Sequence, residues 1–310
     1  MSDTRDEFSL IDRIRRRANV TSLLGLGIGD DTAHLLTNRD DGVLVAVDVL
    51  TEGVHFDLSR TSPDLVGRKA LAVNLSDIAA MAGQPTAAVV GLVLPRDRGA
   101  SLGESMMEGL ISLADEFDVA VIGGDTNSWN GPLVISVTIL GEPTGKGPVT
   151  RAGAEPGDWM FVTGALGGSL VGRHLSFTPR IVEAIALHQA VDLHAMIDIS
   201  DGLASDLRHI ANESQVGATI SADRIPIHED VDASLPVDDR LRHALSDGED
   251  FELLFAVSPL DGERLLGDPP IELPLTHIGE VTDEIECRIR RPDGDVEPLP
   301  KGGWHHGFSE

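Results

Sequence analysis

Adjacent aspartates behind glycines, inside otherwise apolar sequence, are the feature that most constrains this chain. The stretch LGIGDD, from Leu26 to Asp31, places two carboxylates directly after Gly-Ile-Gly. Glycine lets a backbone turn tightly or approach another group closely, whereas neighbouring carboxylates repel each other. The theme returns in GGDT (123–126), DISDGL (198–203) and DGEDFEL (247–253). Where such carboxylates meet, the fold needs cations between them.

The composition is that of a soluble globular protein and excludes several classes of function. The 310 residues suffice for a sizeable core and predict two domains. The formal net charge of −27 argues against nucleic acid and anionic membranes as partners. The single Cys287 excludes an internal disulfide and a multi-cysteine zinc site. Because no apolar run approaches the roughly 18 residues of a membrane span and no signal-peptide layout is present, we expect a cytoplasmic protein.

Strand and helix patterns alternate along both halves of the chain. The run GVLVAVDVL, residues 42–50, is typical of a buried strand. Ser62 and Pro63 predict the cap and first turn of a helix that ends at Gly83. The Gly- and Pro-rich stretch 143–158 indicates a connection between two domains. The prediction is a mixed α/β fold in which each domain is a β-sheet flanked by helices.

Two aspartates fall inside apolar elements, where an unpartnered charge is costly or becomes protonated. Asp48 lies in the predicted strand, and Asp77 lies in ALAVNLSDIAAMA, where it shares a helical face with Asn74. Both have a structural alternative. Asp48 would cap a turn at the strand end, or Asp77 would pair with an arginine such as Arg68.

Other carboxylates follow predicted strands, at the edge where sites gather in open sheets. GGDT follows the strand VAVI, and Asp198 ends a strand with Asp201 at the start of the next helix. Asp201 alone is equally typical of a helix cap. Carboxylate oxygens suit Mg²⁺, which bridges carboxylates and substrate phosphates. The sequence contains no P-loop, so phosphoryl transfer would rely on metals, backbone amides and arginine.

Eight motifs, in order along the chain, resemble those of the thiamine-monophosphate kinase family, within the superfamily of aminoimidazole ribonucleotide synthetase and selenophosphate synthetase. They are FSLIDRI, GIGDDTA, DVLTEGVHF, KALAVNLSDIAAMAG, VIGGDT, TRAGAEPGDWMFVTG, IDISDGLASDL and LSDGEDFELLF. The resemblance spans Phe8 to Phe308. It implies the two-domain architecture of that superfamily. Residues 1–148 would form the metal-binding, nucleotide-binding and dimerisation domain, and residues 149–310 an α/β domain that completes the cleft.

The resemblance also implies an activity and a set of site residues. The activity is ATP-dependent phosphorylation of thiamine monophosphate to thiamine diphosphate, by direct transfer with several Mg²⁺ ions, in a homodimer paired through the N-terminal sheets. No side chain is expected to act as acid, base or nucleophile. The implied metal ligands are Asp31, Val47, Asp48, Asp77, Asp125, Asp198 and Asp201. The implied ATP contacts are Gly124, Asp125, Arg151 and Ser200, and the implied substrate contacts are His55, Glu249 and Trp304.

Two features depart from the family pattern. Ala46 and Val47 stand where hydroxyl residues are usual, which leaves backbone carbonyls as the possible ligands there. The segment from Gly167 to Pro179 is shorter than usual. Trp304 also has an alternative role, in which the C-terminal tail packs onto the domain.

Two other functions fit parts of the pattern. One is another synthesis of the same superfamily, although the selenophosphate reaction usually needs a reactive cysteine near the N-terminus, far from Cys287. The other, from a different class, is a non-catalytic nucleotide- or cation-binding protein. Formation of thiamine diphosphate from ATP and thiamine monophosphate distinguishes them.

The number of candidate carboxylates predicts that catalysis demands free Mg²⁺ beyond the amount that complexes ATP. One nucleotide-bound ion cannot occupy so many ligands. At fixed ATP, the rate should keep rising as Mg²⁺ is added past one equivalent. A plateau at one Mg²⁺ per ATP would contradict a multi-metal site.

Overall fold

Six strands form the first sheet in a computed structural model that describes residues 11, 14–16, 23–37 and 42–304. The motif that begins at Phe8 therefore lies largely outside the described residues. The strand order is β1-β2-β3-β6-β4-β5, and every pair is antiparallel except β4 with β5. The strands are β1 Leu24–Leu26, β2 Ala33–Leu35, β3 Val43–Thr51, β4 Gly83–Pro95, β5 Ala120–Trp129 and β6 Val134–Pro143.

Seven strands form the second sheet, in the order β13-β12-β9-β11-β7-β10-β8, with only β12 and β9 parallel. They are β7 Trp159–Thr163, β8 Leu193–Asp198, β9 Gly217–Ser221, β10 Leu253–Val257, β11 Leu275–Thr282, β12 Cys287–Arg290 and β13 Val296–Pro298. The helices are α1 Pro63–Ala80, α2 Gly99–Glu116, α3 Ile181–Ala190, α4 Leu203–Ser214, α5 Val237–Ser246 and α6 Pro259–Gly267. Short 3-10 turns cover Ser169–Val171, Arg173–Leu175 and Ala222–Arg224.

The expected mixed α/β fold, with a sheet and flanking helices in each half, is confirmed. The boundary at 148/149 stays a prediction, although the first sheet ends at Pro143 and the second begins at Trp159. Within the described part of the chain, no helix is both long and apolar enough to cross a membrane. The cytoplasmic location stays a prediction.

Helix α1 lies at the centre of the molecule. It packs against α2 and the first sheet on one side and against α3 and β8 on the other. The backbones of α1 and α2 approach so closely that a Cβ at Gly67 would lie 1.8 Å from the Met106 carbonyl oxygen. The helix is therefore buried nearly all round, and a polar group on it must find its partner inside the protein.

The ends of the predicted helices differ in detail from the structure. Pro63 does begin α1, but the side chain of Ser62 makes no capping hydrogen bond. The expectation that Gly83 ends the helix was wrong, because Ala82 takes the left-handed turn with φ +50 and Gly83 begins β4. A Cβ at Gly83 would lie 2.5 Å from Leu44 Cδ1, so this glycine serves close packing.

Strand β3 places Asp48 on the inner face of the first sheet. The same face carries the buried residues Leu44, Ala46 and Leu50, which lie at every second position of the strand. Val47 and Val49 point to the opposite face and are 59% and 53% exposed. Since Asp48 lies within β3 and pairs with Val137 of β6, the alternative of a turn cap at the strand end was wrong.

Candidate active site

A cavity of about 300 Å³ opens between the two halves of the chain. Its walls come from β3 and the loop after it, from α1, from the turns after β8 and α5, and from the C-terminal segment. The structure brings together eight of the sequence-predicted residues as lining groups, namely Asp48, His55, Asp77, Asp198, Ser200, Asp201, Glu249 and Trp304. Lys69 and Leu170 line the same cavity, although the sequence did not single them out.

A cluster of carboxylates forms the inner end of this cavity. One oxygen atom from each of Asp31, Asp77 and Asp198 lies within 4.8 Å of those of the other two. Asp48 belongs to the same cluster, because its carboxyl group lies beside that of Asp77 and lines the same cavity. The cluster thus unites residues from the Gly-Ile-Gly turn, β3, α1 and the end of β8.

Mutual repulsion and burial keep these groups from ionising together. Burial, with a smaller contribution from Asp31, raises the pKa of Asp48 to about 6 and that of Asp198 to about 8. Burial and the neighbouring carboxylates raise the pKa of Asp77 well above its ordinary value. Two unit charges about 4 Å apart repel by about 4 kcal/mol at an effective dielectric constant near 20. The cluster therefore holds protons or cations.

The paired aspartates of GIGDD both accept hydrogen bonds from Arg151. Asp31 accepts two hydrogen bonds from the Arg151 guanidinium, at 3.1 and 2.7 Å, and Asp30 accepts the backbone N–H of Arg151 at 2.7 Å. The guanidinium supplies a single positive charge beside the cluster. Burial opposes this charge, yet Asp31 holds the pKa of Arg151 above its ordinary value. The predicted ATP contact and a predicted metal ligand thus lie in direct contact.

The donor set fits Mg²⁺. Four carboxyl groups present hard oxygen atoms to one small region, and the raised pKa values show that a positive charge there would be favourable. Ser76 donates a 2.6 Å hydrogen bond to Asp198 Oδ2 and so fixes that carboxyl group. The buried hydroxyl of Thr32, directly after Asp31, has no hydrogen-bond partner among the described residues. These four carboxylates are the groups that could hold the ions.

The turn after β8 binds the backbone N–H groups of two predicted substrate contacts. Glu249 N–H donates to the Ser200 carbonyl at 2.7 Å, and Trp304 N–H donates to the Asp201 carbonyl at 3.1 Å. The two residues before Trp304 are glycines because the tail crosses α4 and α5 closely. A Cβ at Gly303, where φ is +109, would lie 2.7 Å from Ser205 Cβ. Trp304 is half exposed at the rim of the cavity, and its role as a substrate contact stays a prediction beside the alternative of simple packing.

A backbone hydrogen bond fixes the tautomer of the His55 ring. The backbone N–H of Thr51 donates to His55 Nδ1 at 3.0 Å. In the neutral imidazole the proton therefore lies on Nε2, which becomes a hydrogen-bond donor.

The motif DGEDFE, residues 247–252, binds the segment that follows β7. Asp247 accepts the Gly168 N–H, and the Gly248 carbonyl accepts the Ser169 hydroxyl. Asp250 accepts the Gly167 N–H and pairs with Arg173. Phe251 stacks on Phe177 with ring centres 4.1 Å apart, and Glu252 pairs with Arg180. Most of this acidic motif is therefore structural, although Asp247, Glu249 and Phe251 also line the cavity.

The structure does not bring Val47, Gly124 and Asp125 to the cluster. Asp48, Val137, Val90 and Gly124 form one row across the sheet, three strand spacings long, or roughly 14 Å. Asp125 lies in the next row, with Val49, on the open face of the sheet. The prediction that GGDT follows its strand was also wrong, since β5 continues to Trp129 in parallel pairing with β4.

Two purely structural roles that the sequence left open are wrong, namely an ion pair of Asp77 with Arg68 and a helix cap at Asp201. Arg68 pairs with Glu116 and donates to the Phe177 carbonyl, so it does not neutralise Asp77. Asp201 does not cap α4, whose cap is Gly202. The carboxylate of Asp206 accepts the N–H groups of Asp201 and Gly202 instead. Asp206 lies at i+3 from Leu203, on the helical face that also carries Leu207 and Ile210, so its position inside an apolar stripe was the signal that could have marked it.

Comparisons with known proteins agree with this fold and site. The chain matches the AIR synthase related protein, N-terminal domain, over residues 29–142 and the corresponding C-terminal domain over residues 155–290. The two sheets and the cleft between them thus define an AIR synthase-related protein.

Individual relatives narrow the class. Thiamine-monophosphate kinase of Rhodopirellula baltica is 38% identical over 98% of both chains, and that of Escherichia coli K12 is 39% identical over 97% of this chain and 98% of its own. A solved structure of AaThiL complexed with AMPPCP and TMP superposes with a TM-score of 0.83 at 31% identity, covering 97% of each chain. The chain belongs to the thiamine-monophosphate kinase family, whose activity is the ATP-dependent phosphorylation of thiamine monophosphate to thiamine diphosphate.

Neutralising Asp77 is expected to stabilise the metal-free protein and abolish turnover. Burial and three neighbouring carboxylates raise the pKa of Asp77, so its ionisation opposes folding. The penalty appears as the pH rises above the ordinary carboxyl range, and Asp77→Asn removes it. In EDTA, the melting temperature of Asp77→Asn should equal or exceed that of wild type, by a margin that grows from pH 5.5 to pH 8.

The kinase assay and a surface variant complete this test. Asp192→Asn neutralises an exposed aspartate, so it should change neither the melting temperature nor the turnover much. A strongly destabilised yet active Asp77→Asn would contradict the metal-ligand assignment.

Proposed function

We propose that the chain transfers the γ-phosphoryl group of ATP directly to the phosphate of thiamine monophosphate, with Mg²⁺ held by its carboxylate cluster. One observation carries the proposal, namely that the cluster opens into the cavity that also presents His55, Glu249 and Trp304. The bound AMPPCP and TMP of the AaThiL structure support the pairing of an ATP analogue with thiamine monophosphate in such a cleft.

The residues of the cluster would hold the ions by charge. Asp31, Asp48, Asp77 and Asp198 would bind Mg²⁺ in place of their protons, and Asp201 faces the same cavity. Val47 could contribute only its carbonyl oxygen, because a valine side chain has no ligand atom. When bound, the ions would neutralise the charge of the phosphates, which is the main requirement of phosphoryl transfer.

The remaining polar groups would position the nucleotide. Ser200 lines the cavity beside Asp198, and Arg151 borders the cluster through Asp31. A guanidinium can donate two parallel hydrogen bonds to a phosphate or a carboxylate. If Asp31 held a cation, the Arg151 guanidinium would be available to bind the phosphates of ATP.

No general base is required for this reaction. The acceptor is a phosphate, whose oxygen atoms are already nucleophilic at neutral pH. Positioning and charge neutralisation therefore supply the catalysis. This explains why the cavity is rich in aspartate and why no side chain needs the role of a nucleophile.

The substrate-side groups suit a cationic ring system. Thiamine carries a thiazolium cation and an aminopyrimidine. Glu249 offers a carboxylate, His55 offers the Nε2 side of its ring, and Trp304 offers a half-exposed aromatic surface at the rim. Together they could pair with the cation or the amino group and stack on a ring.

A homodimer would cover the open face of the first sheet. Val47, Val49, Val89 and Ile122 are exposed there, between 37% and 60%, and β5 leaves an unpaired edge within the described part of the sheet. A second copy of the chain is the occupant we propose, because it would bury this apolar face. Gly124 and Asp125 lie on the same edge, so they would serve the cleft of the partner subunit.

Labelled ATP tests the reaction itself. With γ-³²P-ATP, Mg²⁺ and thiamine monophosphate, the label should appear in thiamine diphosphate. Without thiamine monophosphate, the protein should carry no label, because transfer is direct. Omission of Mg²⁺ is the control, and a labelled protein or unlabelled product would contradict the proposal.

Trp304→Ala is expected to raise the KM for thiamine monophosphate about tenfold or more, the usual scale for loss of an aromatic anchor. The KM for ATP and the melting temperature should change little, because Trp304 lies at the rim. Trp304→Phe keeps a stacking ring and should recover most of the affinity. Equal loss for both substrates, or a large drop in melting temperature, would favour a packing role.

Two inactive variants should complement each other if Asp125 acts across the dimer. In a mixture of Asp77→Asn and Asp125→Asn, unfolded and refolded together, each mixed dimer has one intact site. Random pairing then restores about a quarter of wild-type activity. Each variant refolded alone is the control. If Asp125 served the cleft of its own chain, the mixture would stay inactive.

A further inference from the structure

Lys69 is the most deeply buried charged side chain at the cavity. It lies on α1 and is 1% exposed. Its ammonium nitrogen Nζ lies 2.6 Å from Glu249 Oε1, 2.8 Å from the His55 carbonyl oxygen and 2.9 Å from His174 Nδ1. An ammonium group has three N–H donors, and two of them are taken by Glu249 and the His55 carbonyl. The third reaches His174 Nδ1 only in the tautomer in which that atom accepts, so Lys69 is engaged mainly by protein groups.

Both carboxylate oxygens of Glu249 are held from the protein side. Oε1 pairs with Lys69, and Oε2 lies 2.9 Å from His174 Nδ1. The Nδ1 atom donates to the carboxylate in one tautomer and accepts from Lys69 in the other. The backbone of Glu249 is itself in the left-handed region with φ +55, which is unusual for a residue other than glycine. The surrounding contacts thus impose one orientation on a strained residue.

His174 reaches this position because its segment is anchored on both sides. Arg173 bonds to Asp230 and Asp250, and the Arg68 guanidinium donates to the Phe177 carbonyl. The segment of residues 167–179 therefore supplies a specific contact to Glu249. Helix α1 approaches the same carboxylate from the opposite domain.

We propose that Lys69 and His174 are positioning residues, which hold the Glu249 carboxylate in the orientation that receives the thiamine part of the substrate. The inference rests on the proposed substrate contact of Glu249. Lys69 acts on the substrate through Glu249 and through the His55 carbonyl, and it makes no contact with ATP. Removal of either residue frees the carboxylate to rotate and weakens substrate binding without changing nucleotide binding.

Steady-state kinetics of the full-length enzyme test this role. Lys69→Met keeps the length of the side chain, and His174→Ala is a milder change at a turn. Each should raise the KM for thiamine monophosphate about tenfold, as Glu249→Gln should, with the KM for ATP unchanged. In the Glu249→Gln background, Lys69→Met should add little, because both changes act through one carboxylate.

Arg180→Gln is the matched control. Arg180 makes the same kind of partly buried ion pair with Glu252, which belongs to the same acidic motif as Glu249, but neither Arg180 nor Glu252 lines the cavity. The variant should lower the melting temperature and leave both KM values near those of wild type.

The pH profile gives a readout that a folding defect would not move. Burial raises the pKa of Glu249, but His174 and Lys69 outweigh it and hold the pKa below its ordinary value. In Lys69→Met the burial is less well compensated, so Glu249 takes up a proton at higher pH. The acid limb of the KM profile for thiamine monophosphate should shift to higher pH, and Glu249→Gln should lack that limb.

The outcomes separate this inference from the proposed site. If Glu249→Gln leaves the KM for thiamine monophosphate unchanged, the substrate contact fails and the inference fails with it. If Glu249→Gln raises that KM while Lys69→Met and His174→Ala behave like Arg180→Gln, only the inference is overturned. Additive effects in the double variant would also overturn it.

Discussion

Repulsion among four buried carboxylates is the constraint on which the rest of this structure depends. Asp31, Asp48, Asp77 and Asp198 converge from four separate parts of the chain, and Arg151 pairs with the first of them. Such a cluster opposes folding unless protons or cations accompany it. The large apolar core on both sides of α1 compensates this cost. The site is thus maintained by packing around it, and its unfavourable charge would favour the binding of cations.

Helix α1 contacts both the carboxylate cluster and Glu249. Its Asp77 faces the carboxylate cluster, its Ser76 holds Asp198 of the second domain, and its Lys69 holds Glu249 of the second domain. One rigid helix therefore positions both the carboxylate cluster and Glu249. Because α1 is buried nearly all round, a shift of either domain against it would move both sides together.

Much of the fold and of the carboxylate cluster could be predicted from the sequence. Apolar runs gave β3 and α1 close to their observed bounds, and a charge inside an apolar element correctly marked Asp48 and Asp77 as unusual. Contacts between residues that are distant in the sequence could not be predicted from local patterns. The grip of Asp31 on Arg151 and the contact of Lys69 with Glu249 join residues 120 and 180 positions apart. The placement of Asp125 on the far face of the sheet depends on strand order, which local patterns do not contain.

Proton release on metal binding would show that the carboxylate cluster is protonated before Mg²⁺ binds. Because burial raises the pKa of Asp198 to about 8, this group is largely protonated at pH 7 without a cation. Mg²⁺ must displace such protons when it binds. Calorimetric titration of the nucleotide-free protein with Mg²⁺ at pH 7, in two buffers of different ionisation enthalpy and in 0.15 M salt, measures their number. We expect net proton release, reduced in Asp77→Asn, whereas Mg²⁺ binding without proton release would mean that the carboxylates are already ionised in the metal-free protein.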